Sequence, residues 1–186
     1  MSDGNDPKQR LIDRFHLIPH PEGGHYRKTH RDSVRVARLL GPAAPGKETG
    51  SITRSASTSI YYMLCDGAYS AWHRIRSDEV WHFYAGDPLD VHVIDPAGQL
   101  VTHRLGNALV DDALAFQAIV PSGCWFAAEC SVRARDAGSA GFAFVGCTVA
   151  PGFEFSDFEL ADTEALADQY PGYAALIRRL APRSKT

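Results

Sequence analysis

The chain has 186 residues, 45% of them hydrophobic, with 19 basic and 22 acidic side chains and a formal charge of −3. That is room for one globular domain with a real core, and the apolar content is too high for a disordered chain. No apolar run reaches the roughly 18 residues of a membrane span, MSDGNDPKQR is too polar for a secretory signal, and the charge balance argues against a nucleic-acid partner, so the expected location is the cytoplasm.

Residues 1–6 are expected to be disordered. Asp6-Pro7 reads as the cap and first position of a short helix whose apolar face carries Leu11, Ile12, Phe15 and Leu17. Pro19 stops it, and His20-Pro21-Glu22-Gly23-Gly24 must be irregular. That segment is either a turn into the first strand or the rim of a pocket with Glu22 pointing in. The basic stretch Arg27 to Arg38 interleaves with Asp32 and apolar residues and reads as a solvated strand and loop. Gly41 to Gly46 is a loop by composition.

From Ser51 to Val149 short β-branched and aromatic runs alternate with turn signals. The runs are 58–64, 79–84, 89–94, 99–105, 115–120, 124–132 and 141–149. Many short strands at close spacing point to a sandwich or barrel rather than βαβ units. The last two runs are expected to pair as a hairpin about Arg133 to Ala140. Cysteines 65, 124, 130 and 147 form no Cys-x-x-Cys pair, so they read as buried thiols without a disulfide. Asp162 caps a helix, Pro171-Gly172 interrupts it, and a second short helix carries Tyr173, Leu176, Ile177 and Leu180 on one face, giving helices over 162–180.

The sharpest signal surrounds His73. Five residues separate it from Gly67, Glu79 follows six positions later, and Gly86 closes the stretch. Alternation in a strand puts His73 and Ile75 on one face, and Glu79 opens the next strand on the same side. Trp81 and Phe83 share the parity of Glu79, whereas Trp72, His82 and Tyr84 have the opposite parity. The outward set is expected at a dimer interface or under helices.

This spacing resembles the first motif of the cupin superfamily, and Pro121-Ser122-Gly123 resembles the Pro-x-Gly turn of its second motif. The second histidine of the first motif is replaced by Ile75, and the histidine expected three residues after Gly123 by Phe126. One histidine and one carboxylate do not hold a transition metal tightly. No tightly bound cofactor is expected, and any divalent metal would fall to His73 and Glu79. The blocks HPEGGHYRKTHR (20–31), TSIYYML (58–64), WHRIRSDEVWHFYAGDPL (72–89), VPSGCWFAAE (120–129) and GCTVAPGFEFSDFEL (146–160) extend the likeness over nearly the whole chain. They are similar to the short cupins of domain-of-unknown-function group 985, or cupin type 5. That resemblance implies one cupin domain over 1–186, a mainly β jelly-roll barrel with short terminal helices, and a homodimer. It implies no established reaction.

The expected site is an aromatic pocket with a polar centre. His73 would be the acid/base and Glu79 its orienting partner; Trp81, Phe83, Tyr62, Phe126 and Glu22 would contact a small-molecule ligand. Shape likeness between this family and sugar-nucleotide epimerases makes an isomerase acting on a carbohydrate-like substrate the first reading. A non-catalytic ligand sensor and a metal-dependent oxygenase are the alternatives, and the losses at 75 and 126 count against the latter.

Overall fold

The computed structural model describes residues 6–20, 23–39, 51–131 and 138–182. In chain order the elements are α1 (Pro7–Phe15), β1 (Ile18–Pro19), β2 (His25–Arg31), β3 (Arg35–Leu39), β4 (Ser51–Ser55) and β5 (Thr58–Cys65). Then come β6 (Tyr69–Arg74), β7 (Asp78–Gly86), β8 (Leu89–Ile94), β9 (Leu100–Leu105), β10 (Gln117–Val120), β11 (Trp125–Cys130) and β12 (Phe142–Ala150). β13 (Glu159–Leu160), α2 (Thr163–Gln169) and α3 (Ala174–Arg179) complete the chain.

The helix ends follow from cap chemistry. Asp6 accepts a hydrogen bond from the Lys8 backbone N–H at 2.9 Å, with Pro7 at the first helical position. Asp6 is therefore ordered as a cap, which corrects the expectation of disorder at that residue; residues 1–5 and the 41–46 loop lie outside the described residues. Asp162 caps α2 by accepting from Ala165 N–H at 3.0 Å.

Two antiparallel sheets carry the fold, in the orders β1-β2-β5-β12-β7-β10 and β13-β6-β11-β8-β9. Consecutive strands from β5 to β8 alternate between the sheets, which is jelly-roll winding. The expected hairpin between 124–132 and 141–149 does not form. β11 pairs with β6 and β8 in one sheet, and β12 pairs with β5 and β7 in the other. Both runs have strand character, but local pattern carries no record of which partner lies across the fold.

Period-2 alternation sorts the side chains. Tyr62, Leu64, Trp81, Val145 and Val149 from the first sheet meet Val91, Val93, Phe126 and Ala128 from the second in one core. The outer face of the second sheet buries Trp72, Ile94 and Ala127 under Leu166, Ile177 and Leu180 of the C-terminal helices. Of the three residues read as outward-facing, Trp72 thus lies under helices and Tyr84 stays exposed. His82 bonds Thr148 at 3.1 Å and Gln117 at 3.1 Å. Helix α1 covers Met63, Phe142 and Phe144 on the outside of the first sheet with Leu11, Ile12 and Phe15. Among the described residues, no helix is long and apolar enough to cross a membrane.

The four cysteines are thiols rather than disulfides. Burial pushes Cys65 up to about 11 and Cys130 up to about 12, so both stay protonated and unreactive at neutral pH.

Candidate functional site

A cavity opens between the sheets at the end closed by β2 and by residues 153–158. His73 reaches it from β6, Glu79 and Trp81 from β7, and Ile60 and Tyr62 from β5. His73 is 5% exposed and Glu79 is 8% exposed. Both are therefore largely desolvated, and any charge exchanged there is felt more strongly than in water.

His73 is oriented by the main chain. Its Nδ1 lies 2.7 Å from the carbonyl oxygen of Ala71. A carbonyl only accepts, so Nδ1 carries the proton and donates it. In the neutral ring the lone pair then belongs to Nε2, the nitrogen a base uses. The strand turns its own carbonyl back to the ring, so Ala71 orients the imidazole at Nδ1. Glu79 contributes a carboxylate to the same cavity. Phe126 backs the imidazole, with ring centroids 4.0 Å apart, and Phe158 stands 5.2 Å away.

Tyr62 and Trp81 meet edge-on at 5.9 Å. The Tyr62 hydroxyl donates to the Gly23 carbonyl at 2.9 Å, tying the chain before β2 to the cavity rim. Gly24 makes that path possible. Its φ is +72°, and a Cβ there would stand 2.4 Å from the Met63 carbonyl oxygen, so a side chain is excluded twice over. Trp81 brings a second feature: its indole N–H is buried without a hydrogen-bond partner among the described residues. An unmade hydrogen bond of that kind costs about 1–3 kcal/mol.

Of the expected ligand contacts, Tyr62 and Trp81 line the cavity and Phe83 and Phe126 do not. Phe126 is fully buried behind His73. Phe83 packs against the core past Trp81, next to the register shift between β12 and β7. Glu22 lies outside the described residues.

Other wall residues carry little signal in the sequence. His20, Tyr26, Lys28 and Arg31 come from the segment read as a rim and solvated strand. Phe153, Phe155 and Phe158 come from the segment between β12 and β13. Two ion pairs hold that segment over the cavity. Arg31 donates to Glu154 at 2.6 Å and to the Phe153 carbonyl at 3.1 Å. Arg54 grips Asp157 with two bonds, at 2.7 and 2.9 Å, and the hydrogen bond to Asp157 raises the Arg54 pKa.

The superfamily's usual divalent metal does not fit this wall. Ile75 lines the cavity where a histidine ligand is expected, and Phe126 is packed against the His73 ring. Among the described residues no three His, Cys, Asp or Glu side chains converge on one point.

Comparison with known proteins agrees with the geometry. The family model described as Cupin superfamily (DUF985) matches residues 9–161. An uncharacterized protein of Saccharomyces cerevisiae, YML079W, is 28% identical over 151 residues, covering 80% of this chain and 72% of its own. A hypothetical protein from Leishmania major superposes with a TM-score of 0.80 at 35% identity, over 94% of this chain and 98% of that one. Protein SO0799 from Shewanella oneidensis gives 0.75 at 34% identity, with both chains covered in full. Oxalate decarboxylase from Bacillus subtilis, at 14% identity and a TM-score of 0.51 over 94% of this chain and 39% of its own, shares the fold alone.

Proposed function

The chain belongs to the DUF985 family of the cupin superfamily, and from that premise we propose that it binds one small molecule in the cavity and moves a proton on it through His73. The observation that carries the reading is the Ala71–His73 hydrogen bond, which assigns the lone pair of the neutral ring to Nε2 beside a buried carboxylate. A carbohydrate-like ligand with a carbonyl suits this arrangement. Nε2 takes a proton from the carbon next to the carbonyl, and the electron pair passes to the carbonyl oxygen as an enolate. Return of the proton to the same carbon from the other face completes an epimerisation; return to the former carbonyl carbon, with the proton of the adjacent hydroxyl passing to the enolate oxygen, completes an isomerisation. The Glu79 carboxylate stabilises the imidazolium formed in between, and the aromatic walls keep water away.

Isotope exchange tests this. Sugar nucleotides bearing a keto group are incubated with the protein in D₂O and followed by proton NMR. The expected result is loss of the signal from the carbon next to the carbonyl, abolished in His73→Asn while the compound still raises the melting temperature of that variant. A compound that raises the melting temperature of the wild type without any exchange would leave a binding protein and overturn the proton transfer.

We also propose that the working unit is a homodimer built on the outer face of the first sheet. Helix α1 covers only part of that face. Tyr84 and Ile119 are left 50% and 57% exposed, Ile119 lies beside Val80, and β10 is an edge strand. Light scattering at micromolar concentration is expected to return twice the 20.3 kDa chain mass, falling toward one chain mass in Ile119→Lys. A wild-type monomer rules the dimer out.

A further inference from the structure

We propose that the ligand is an anion, bound with its acidic group at the cavity mouth against Lys28 and Arg31 and its less polar body inside against Tyr62 and Trp81. This rests on the reading of the cavity as a small-molecule site and adds the ligand's chemical class and its orientation.

The placement of the two cations follows from one extra residue in β2. Tyr26 pairs with Tyr62 and Lys28 with Ile60, but Arg31, not His30, pairs with Thr58. The register slips between Lys28 and His30. Thr58, Ile60 and Tyr62 are alternate residues of β5 and all line the cavity. Their partners Tyr26, Lys28 and Arg31 therefore share the cavity face. In an unbulged strand the third place would fall to His30. The bulge gives it to a permanent cation.

The described residues do not neutralise the mouth. Glu154 is the carboxylate bound to Arg31, and that bond and the one to the Phe153 carbonyl use two of the five guanidinium N–H groups. Lys28 forms no ion pair with any described residue. Among the described residues one positive charge is left over. The interior has the opposite character. Apart from Ser70, His73 and Glu79 its wall is mainly aromatic and aliphatic. An acidic group placed there would face Glu79 and lose its water, whereas at the mouth it keeps solvent on one side and meets Arg31 as a donor fork.

A matched pair of fluorescent probes tests the class of ligand without knowing the natural one. 1-Anilinonaphthalene-8-sulfonate is an aromatic anion, and N-phenyl-1-naphthylamine is its neutral counterpart. The anion is expected to bind at least about tenfold more tightly than the neutral probe. That ratio should shrink between about 0.05 M and about 0.5 M salt. It should approach unity in the double variant Lys28→Gln, Arg31→Gln and persist in His73→Phe. Phenyl phosphate and benzoate, used as competitors, separate a phosphate from a carboxylate head group. Equal binding of the two probes, displacement by neither competitor, or a ratio retained in the double variant overturns the anion while leaving the cavity as a binding site. Binding of neither probe overturns both readings.

Discussion

Replacing Trp72 by alanine is expected to lower the unfolding free energy by about 3–5 kcal/mol, a large share of the roughly 5–15 kcal/mol available to a domain. Trp72 is fully buried, under the C-terminal helices. Its backbone accepts from Ala161 N–H at 3.0 Å and donates to Leu180 at 3.1 Å, so the strand itself is bonded to both ends of the helical segment. Removing the indole leaves a cavity between two rigid surfaces, and neither the pleated sheet nor two short helices can collapse to fill it. The melting temperature should fall by about 10 °C for a chain of this length. Trp125→Ala is the control. That ring is only half-buried, under the Arg74 guanidinium at 4.5 Å, and its loss should cost much less. A Trp72→Ala effect below about 1 kcal/mol would mean that the helices are not held by this cluster.

What the sequence made legible was parity. Glu79, Trp81 and Phe83 sit on alternate positions of β7, and His73 faces the same core, because a strand must alternate. Asp6 and Asp162 could be read as caps for an equally local reason. Three things were not legible because they depend on partners far along the chain. The bulge that turns Arg31 onto the cavity face exists only in the pairing of β2 with β5. The phenylalanines at 153, 155 and 158 wall the cavity because Arg31 and Arg54, more than 100 residues earlier, hold Glu154 and Asp157. The proton on His73 Nδ1 is set by a carbonyl two residues away, a contact that no spacing pattern encodes. Phe126 marks the same limit from the other side: it shares the cavity's parity, yet its direct pairing with His73 puts it behind the imidazole.

Acid should loosen the C-terminal helices through Glu129. This residue of β11 accepts from His92 Nε2 at 3.1 Å and from both terminal nitrogens of Arg179 on α3, one of them at 2.7 Å. His92 is itself fixed through Nδ1 by Thr102 at 2.9 Å. Burial pushes the Glu129 carboxyl up, but the hydrogen bonds from His92 and Arg179 and the charge on Arg179 outweigh it and hold the group at about 2, against an ordinary 4.5. The folded pKa is depressed, so the unfolded chain binds the proton more readily. The stabilisation is complete above pH 4.5 or so and is lost as the pH falls toward about 2. Between about pH 6 and about pH 3 the loss is on the order of 2 kcal/mol. Other carboxylates titrate over the same range, so the measurement is a difference: urea unfolding of wild type and Glu129→Gln at both pH values. Wild type should be the more stable at pH 6, and its advantage should shrink by roughly 2 kcal/mol at pH 3. An advantage that does not change with pH would show that the carboxylate does not hold α3 to the sheet by its charge. If the advantage instead shrinks as expected, cleavage of wild type by an acid-active protease at pH 3 should begin within 174–182, because opening of that segment frees Glu129 to take up a proton and so becomes easier in acid.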